Sequence, residues 1–358
     1  MFDINEILAI PPYSLDKDAK ASLYKDALRE LAAHHYQNCE PYRNILDGLS
    51  FRLGAANKIS DFPYLPARLF KTRELISADK SKIVKTITSS GTTGQSVSKI
   101  FLDRETSAAQ TKALARITAG FIGPKRLPVI IVDTGEVLRD RNMLSARGAG
   151  ILGFSMFGRD AVYALDERMN VNHRALDMFM DKHRDGPVLL FGFTFMIWEY
   201  FIKPLTDSGD LRFPGGILIH GGGWKKLQDE SVGPERFKEA LGETFGIRRV
   251  HNYYGMAEQT GSIFMECDCD RLHCSVFSDV ITRRHRDFVP CETGEQGLIQ
   301  VVSLLPRSYP GHSILTEDLG RVTGVDDCPC GRLGKTFTVD GRILRAEAKG
   351  CGDTYERR

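Results

Sequence analysis

The chain has 358 residues, of which 42% are hydrophobic and 26% charged, enough apolar material for one large or two intimate domains. Its formal net charge is only +2, so composition gives no reason to expect nucleic acid or an anionic membrane as the main partner. The first residues carry no targeting signal, and the most apolar stretch, residues 187–201, is too short to span a bilayer. We therefore expect a soluble, cytoplasmic protein.

The first 80 residues predict a helical N-terminal cap. Apolar residues recur at helical spacing between residues 15 and 38. Pro63 and Pro66 then mark an irregular segment that ends this region.

From residue 83 onward, predicted strands alternate with predicted helices. Apolar runs predict strands at residues 83–87, 128–132, 187–191 and 216–219. Helices are predicted over residues 105–119, from residue 194, and over residues 235–245. Continuous apolar strands between helices are typical of a sheet that is covered on both faces, so the predicted fold class is α/β.

After residue 260 the sequence favours a smaller β-rich region, in which residues 297–302 are the clearest strand. We therefore predict four segments. They are a helical cap (1–80), an α/β core (81–262), a β-rich subregion (263–350) and a short tail (351–358).

A candidate phosphate loop follows the first strand of the core, at residues 88–99. Its glycines allow the backbone to bend around an anion, its hydroxyls can donate hydrogen bonds to phosphate oxygens, and Lys99 can supply positive charge. Gly94 is not followed by Lys-Ser/Thr, so this is not a Walker A loop. The alternative is an ordinary polar turn, since clusters of this composition are usually turns.

The loop resembles the Ser/Thr-Ser-Gly-Thr-Thr-Gly motif of the adenylate-forming ligases, with the lysine two positions later than usual. That resemblance implies an enzyme that activates a carboxylic acid with ATP, and a large domain of this superfamily's fold. The implied phosphate-binding residues are Ser89, Ser90, Gly91, Thr92, Thr93 and Gly94, followed by Lys99.

A second constellation, residues 251–259, combines tyrosines, a glycine and a carboxylate. A ring can stack on adenine and a carboxylate can hold Mg²⁺, although a buried aromatic strand end with a solvated glutamate would look the same. It resembles the superfamily's Tyr-Gly-x-Thr/Ser-Glu motif, which implies that Tyr254 and Gly255 lie beside adenine and that Glu258 binds Mg²⁺. Ala257 departs from the motif because it lacks the hydroxyl.

Three further features continue the resemblance. Gly221 and Gly222 occupy the place of the glycine-rich loop beside adenine, where the alternative is a plain turn. Asp318 matches the aspartate of the Thr-Gly-Asp motif that binds the ribose, with Glu317 in place of the glycine. Arg342 belongs to a partial match to the hinge motif, and we expect the mobile C-terminal domain of larger relatives to be missing.

Segments at 253–263, 304–318 and 349–352 resemble the acyl-protein synthetases of the bacterial bioluminescence fatty-acid reductase complex. That family forms a fatty acyl-adenylate and moves the acyl group to its own cysteine, for delivery to a reductase. The resemblance implies that Cys351 is the acyl acceptor, and a thiolate is a suitable nucleophile for that step. The expected acyl pocket is an aromatic-rich strand-to-helix segment, with plain core packing as the alternative. Its residues are Phe191, Gly192, Phe193, Phe195, Met196 and Trp198.

Five of the eight cysteines fall in two clusters, at residues 267–274 and 328–330. In a reducing compartment such clusters favour a structural zinc site over disulfides, and buried free thiols are the alternative. A resemblance to phenylacetate-CoA-ligase-like proteins implies Cys267, His273, Cys328 and Cys330 as ligands, with Cys269 and Cys274 in reserve.

The predicted function is therefore ATP- and Mg²⁺-dependent activation of a carboxylic acid, of fatty acyl type, followed by transfer to a thiol of Cys351 or of a partner. An acyl-CoA or aryl-CoA ligase is one alternative, and a non-catalytic, nucleotide-binding zinc scaffold is another. An acyl reductase or a carrier protein is the expected partner. Acyl chain length and assembly into a homo-oligomer stay open.

Overall fold

The computed structural model describes residues 2–89, 97–138, 146–184, 186–206, 211–223 and 232–343. Its helices are α1 (Ile4–Ala9), α2 (Lys17–Asn38), α3 (Glu40–Gly48), α4 (Leu69–Thr72), α5 (Arg104–Ile122), α6 (Ala146–Ser155), α7 (His173–His183), α8 (Thr194–Ile197), α9 (Lys203–Leu205) and α10 (Pro234–Phe245). Its strands are β1 (Leu65–Pro66), β2 (Ile83–Thr88), β3 (Lys99–Asp103), β4 (Leu127–Val132), β5 (Gly158–Tyr163), β6 (Leu189–Phe193), β7 (Ile217–Gly221), β8 (Arg249–Tyr254), β9 (Phe264–Glu266), β10 (Leu272–His273), β11 (Ser278–Arg283), β12 (Gly297–Ser303), β13 (Ser313–Val325) and β14 (Lys335–Arg342).

The predicted N-terminal helix is α2. It begins where the Asp16 carboxylate accepts a hydrogen bond from the Ala19 amide, which satisfies one of the free donors of the first turn. Its buried face rests on the β-rich part of the chain, where the Tyr24 hydroxyl donates to the Val276 carbonyl at 3.1 Å. The cap is thus packed directly against the β-rich strands.

One large mixed sheet organises the core, in the order β11-β12-β13-β14-β10-β9-β8-β7-β6-β4-β5. The strands from β5 to β8 are parallel, and β8 to β11 are joined by antiparallel pairs. All six residues of β4 and all five of β7 are buried, as expected for strands covered on both faces. The α/β prediction is confirmed.

Strands dominate the chain after residue 260, as predicted, and β12 agrees with the strand expected at 297–302. β13 is longer than the short strands expected there, with 13 residues, and it also pairs in parallel with β1 at Leu65 and Ile314. The limits of the four predicted segments stay predictions.

The helix expected from residue 194 is present. It runs through α8, one π turn at Trp198–Ile202 and α9 without leaving helical dihedrals. Pro204 has no amide hydrogen to donate to the carbonyl four residues earlier, in keeping with the irregular hydrogen-bond ladder here.

The carboxyl ends of the parallel strands meet at one edge of the sheet, which is where ligands bind in α/β folds. β6 ends beside Thr194, β7 ends at Gly221, and β8 ends at Tyr254. The hairpin β2–β3 forms a separate two-stranded sheet. In the described residues, no helix combines the length and apolar character that crossing a membrane requires.

Candidate active site

The candidate phosphate loop connects β2 to β3. Thr88 pairs with Lys99, and the Ser89 amide donates to the Ser98 carbonyl at 3.1 Å. The Ser98 amide donates in turn to Ser89 Oγ at 2.9 Å, so the two ends of the loop are held together. Lys99 is exposed at the start of β3. The predicted residues Ser90, Gly91, Thr92, Thr93 and Gly94 lie outside the described residues.

The predicted adenine and ribose residues form one connected group. The Tyr254 hydroxyl donates to Asp318 Oδ2 at 2.7 Å, and Arg342 Nε donates to Asp318 Oδ1 at 3.1 Å. Burial and the neighbouring Asp318 charge raise the pKa of Tyr254 well above its ordinary value, so its hydroxyl stays protonated. Strands β8, β13 and β14 therefore bring these three side chains together, although 64 positions separate Tyr254 from Asp318.

Glu258 lies in the short 3₁₀ turn Ala257–Gln259 that follows β8. Its side chain is only 6% exposed, and no lysine or arginine in the described part of the chain forms an ion pair with it. Buried carboxylates usually bind a cation or a hydrogen-bond donor, and Mg²⁺ typically takes one or two carboxylates together with substrate phosphates. Glu258 therefore fits a Mg²⁺ ligand. Thr260 donates its hydroxyl to the Ala257 carbonyl at 2.9 Å.

The glycine-rich loop lies at the end of β7. A Cβ at Gly221 would come within 2.4 Å of the Tyr253 ring, so only glycine allows β7 and β8 to approach here. Gly222 has a φ of 75°, which also favours glycine. Thr194 supports the loop, since its hydroxyl lies 2.9 Å from the Gly222 carbonyl and 2.9 Å from His220 Nδ1.

Thr194 was not predicted from the sequence as a site residue. Its position directly after an apolar strand could have indicated that it lies at the edge of the sheet, beside the glycine-rich loop.

The aromatic segment expected to form the acyl pocket is divided between the two faces of the sheet. Phe191 stacks on Phe154 with ring centroids 4.3 Å apart. A Cβ added to Gly150 of α6 would lie 3.3 Å from the Phe193 ring. Trp198 packs against Phe237 in the core on the other face. That this segment forms an acyl pocket stays a prediction, and Trp198, which lies in the π turn after β6, faces the core on the opposite side of the sheet from Phe191.

The predicted zinc ligands converge. One ligand atom from each of Cys267, His273, Cys328 and Cys330 lies within 4.8 Å of all the others. The Cys267 and Cys328 sulfurs are 3.7 Å apart, and Cys330 Sγ is 3.4 Å from His273 Nε2. A tetrahedral zinc with bonds of about 2.0–2.3 Å separates its ligands by roughly 3.5–3.8 Å.

Two tight turns build this cluster. Asp270 has a positive φ of 57° in the turn between β9 and β10, and Gly331 has a φ of 79° just after Cys330. The Cys269 amide points at the Cys267 sulfur at 3.4 Å. The reserve candidates Cys269 and Cys274 are not members of the four-residue group. The donor set of three thiols and one imidazole suits zinc.

Residues 3–358 match the protein family described as "Acyl-protein synthetase, LuxE". The chain belongs to this family. It is 24% identical over 335 residues to the long-chain-fatty-acid–luciferin-component ligase of Aliivibrio fischeri, covering 90% of this chain and 85% of that one. It is also 24% identical over 331 residues to the ligase of the same name from Vibrio harveyi, covering 89% and 83%.

Solved structures confirm the fold. An open conformation of 2-hydroxyisobutyryl-CoA ligase with 2-HIB-AMP and CoA aligns with a TM-score of 0.72 at 16% identity, over 96% of this chain and 76% of that chain. The same ligase in its postadenylation state gives 0.70 at 17% identity, over 96% and 73%. With family membership, this confirms the prediction of an adenylate-forming ligase that acts on a carboxylic acid.

Proposed function

We propose that this family member activates a fatty acid with ATP as an acyl-adenylate and then transfers the acyl group to the thiol of Cys351. The observation that carries the proposal is the group formed by Tyr254, Asp318 and Arg342, next to the buried Glu258 at the carboxyl edge of the parallel strands. This arrangement offers a ring, a carboxylate suited to the ribose and a carboxylate suited to a cation at one edge of the sheet.

In the first step, a carboxylate oxygen of the acid attacks the α-phosphorus of ATP. The new P–O bond forms as the bond to the β-phosphate bridge breaks, and pyrophosphate leaves with the electron pair. Asp318 accepts hydrogen bonds from the ribose hydroxyls and so holds the nucleotide in line. Lys99 and the amides of the loop between β2 and β3 stabilise the phosphate charge, and bound Mg²⁺ on Glu258 would neutralise part of it.

In the second step, a thiolate sulfur attacks the acyl carbon. The C–S bond forms, the C–O bond to the phosphate breaks, and AMP leaves, while the thiol proton passes to solvent. Cys351 lies outside the described residues, so its role rests on the family resemblance of the tail. The long-chain fatty acid substrate is supported by the names of the two ligases to which the chain is similar.

The four-residue cysteine–histidine cluster would hold a structural zinc ion. Its donors come from two turns on neighbouring strands, β9–β10 and β13–β14, so the ion would fix these turns to each other. All four ligand positions are supplied by protein side chains, and we assign no chemical step to this site.

The fold likeness to 2-hydroxyisobutyryl-CoA ligase supports one alternative, in which CoA rather than Cys351 accepts the acyl group. A non-catalytic scaffold stays the other alternative. A cytoplasmic location, a reductase or carrier-protein partner and assembly into a homo-oligomer stay predictions.

The test is to incubate the protein with MgATP and radiolabelled carboxylic acids of different chain lengths, and to compare the wild type with Cys351→Ala. Cys291→Ala is the matched control, since Cys291 is partly exposed and outside the zinc cluster. The proposal requires hydroxylamine-sensitive label on wild type and on Cys291→Ala, and no label on Cys351→Ala. In a parallel incubation with added CoA, label on CoA alone would make CoA the acceptor. Absence of both label and pyrophosphate exchange would remove the enzymatic proposal.

A further inference from the structure

The loop of residues 304–312 connects β12 to β13 and is buried along most of its length. Leu304, Leu305, Ser308 and Tyr309 are 0% exposed, and His312 is 1% exposed. A loop without strand or helix structure normally lies at the surface, because its backbone polar groups need partners. The 304–312 loop therefore depends on specific partners in the interior, and these partners belong to the candidate active site.

The middle of the 304–312 loop contacts the hairpin that carries the candidate phosphate loop. Ser308 Oγ donates to the Phe101 carbonyl of β3 at 2.8 Å, and the Ser308 amide donates to Thr106 Oγ1 at 3.1 Å. Thr106 lies in the first turn of α5, directly after β3. Ser308 thus fixes the position of the strand that leaves the phosphate loop.

The next residue contacts the candidate magnesium ligand. The Tyr309 hydroxyl donates to the Glu258 carbonyl at 2.9 Å and accepts a hydrogen bond from Gln110 Nε2 at 3.2 Å. Gln259, the neighbour of Glu258, donates its side-chain amide to the Gly311 carbonyl at 2.8 Å. Two of the three residues of the 3₁₀ turn, Glu258 and Gln259, are therefore held by the same loop.

The packing around this contact leaves no spare room. A Cβ on Gly311 would lie 2.2 Å from the Tyr309 ring and 3.0 Å from the Glu258 carbonyl oxygen. A Cβ on Gly261 would likewise lie 2.5 Å from the Gln110 carbonyl oxygen. Because the Tyr309 ring and the Glu258 carbonyl are packed this closely around Gly311, a shift of the Tyr309 hydroxyl is expected to move the Glu258 main chain.

We propose that Tyr309 is a positioning residue of the adenylation site, which holds the Glu258 main chain at a fixed distance from the β2–β3 hairpin. The proposal rests on the proposed function, because it assumes that Glu258 binds Mg²⁺ and that the loop between β2 and β3 binds phosphate. Catalysis that works by charge stabilisation depends on such preorganisation, since displacement of a group by about 1 Å can cost 100-fold in rate.

Tyr309→Phe removes one oxygen atom and leaves the ring in place. Tyr24→Phe is the matched control, because Tyr24 is also 0% exposed and also donates its hydroxyl to a carbonyl, that of Val276. Gln110→Leu is a second variant. It keeps the hydrogen bond from Tyr309 to the Glu258 carbonyl and removes only the hydrogen bond that the Gln110 side chain donates to the Tyr309 hydroxyl. It tests the proposal independently should Tyr309→Phe fold poorly.

The primary readout is the thermal stabilisation of the full chain by MgATP and, separately, by ATP with EDTA. The proposal predicts that Tyr309→Phe binds MgATP about fivefold to tenfold more weakly than wild type, with ATP–EDTA binding unchanged. Gln110→Leu is expected to shift in the same direction by a smaller factor, and Tyr24→Phe to bind both forms as wild type does. The Mg²⁺ concentration for half-maximal pyrophosphate exchange should rise in parallel.

Unchanged MgATP binding in Tyr309→Phe, or an equal loss in Tyr24→Phe, would overturn the positioning role while leaving the proposed function intact. An equal loss of MgATP and of ATP–EDTA binding would also overturn it, because Tyr309 would then act on the whole nucleotide site. A wild-type protein that binds MgATP no better than ATP–EDTA, and shows no pyrophosphate exchange, would overturn the proposed function together with this inference.

Discussion

The Tyr254 hydroxyl donates a hydrogen bond of 2.7 Å to Asp318, and the other carboxylate oxygen of Asp318 accepts from Arg342. Among the described residues, each oxygen of this carboxylate thus has one side-chain partner and a lone pair left for a ligand. In the proposed nucleotide site, Tyr254 would place its ring beside adenine and its hydroxyl beside the ribose carboxylate, which would link the two halves of that site.

Removing this hydroxyl tests the link. We expect Tyr254→Phe to raise the KM for ATP about threefold to tenfold with little change in kcat, because one hydrogen bond to a charged group is lost while the ring remains. ATP-dependent pyrophosphate exchange measures both constants. Tyr36→Phe is the control, since Tyr36 donates to Asp47 at 2.8 Å on the exposed surface, and it should leave both constants unchanged. Equal effects of the two substitutions would contradict a nucleotide-site role for Tyr254.

Replacing the buried carboxylate of Glu258 should impair chemistry more than binding of the acid. We expect Glu258→Gln to lower the rate of pyrophosphate exchange about 100-fold or more, because the amide cannot carry the charge that holds Mg²⁺. A titration of the rate with Mg²⁺ checks the cause. Glu105→Gln, at an exposed position of α5, serves as control. An unchanged Mg²⁺ dependence in Glu258→Gln would remove Glu258 from the metal site.

The cysteine–histidine cluster predicts bound metal. Atomic absorption should find about one zinc per chain in wild type and much less in Cys328→Ser, with a Tm lower by about 10 °C or more. Cys274→Ser is the matched control, since Cys274 is buried but outside the four-residue group, and it should keep its zinc. Full-length wild type with no zinc after growth in zinc-supplemented medium would refute the site.

The stacked pair His35 and His312 predicts a dependence of stability on pH. Their ring centroids are 4.9 Å apart, and both are buried. Burial, together with neighbouring histidines, lowers the pKa of His35 well below its ordinary value and that of His312 to about 3. The unfolded chain therefore binds protons near pH 6.5 that the folded chain does not bind. Stability is greatest above that pH and falls as the pH drops toward the lowered values.

Urea unfolding at pH 7.5 and at pH 5.5 measures this effect. Each buried histidine contributes a loss of up to about 1.4 kcal/mol per pH unit below 6.5, so His312→Asn should reduce the pH dependence relative to wild type. His285→Asn is the control, because His285 lies exposed in the turn after β11. The same pH dependence in wild type and His312→Asn would show that other groups control it.

Patterns of neighbouring residues were enough to predict the buried strands of the sheet. The apolar runs of β4 and β7 predicted buried strands because both faces of each strand are covered. The cysteine spacing indicated a metal site, but the choice of Cys267, His273, Cys328 and Cys330 came from the resemblance to phenylacetate-CoA-ligase-like proteins. The placement of Cys274 outside this group was not visible from spacing alone.

Relationships between distant parts of the chain were not predictable in this way. Tyr309 and Glu258 are 51 positions apart, and nothing in the residues around Tyr309 indicates that its hydroxyl donates to the backbone of the Ala257–Gln259 turn. The direction of Trp198 depended on a π turn, which has no clear sequence pattern beyond Pro204. These features follow from tertiary packing, which overrides local preference.

The parallel pairing of β1 with β13 has a consequence for the order in which the protein is made. Leu65 leaves the ribosome early, whereas its partner Ile314 is synthesised after most of the chain. Strand β13, which contains Ile314, also carries Asp318, so this part of the candidate site is complete only when the two distant segments meet. Such long-range closure is slow. We therefore expect β1 to remain unpaired and accessible to chaperones until β13 has been synthesised.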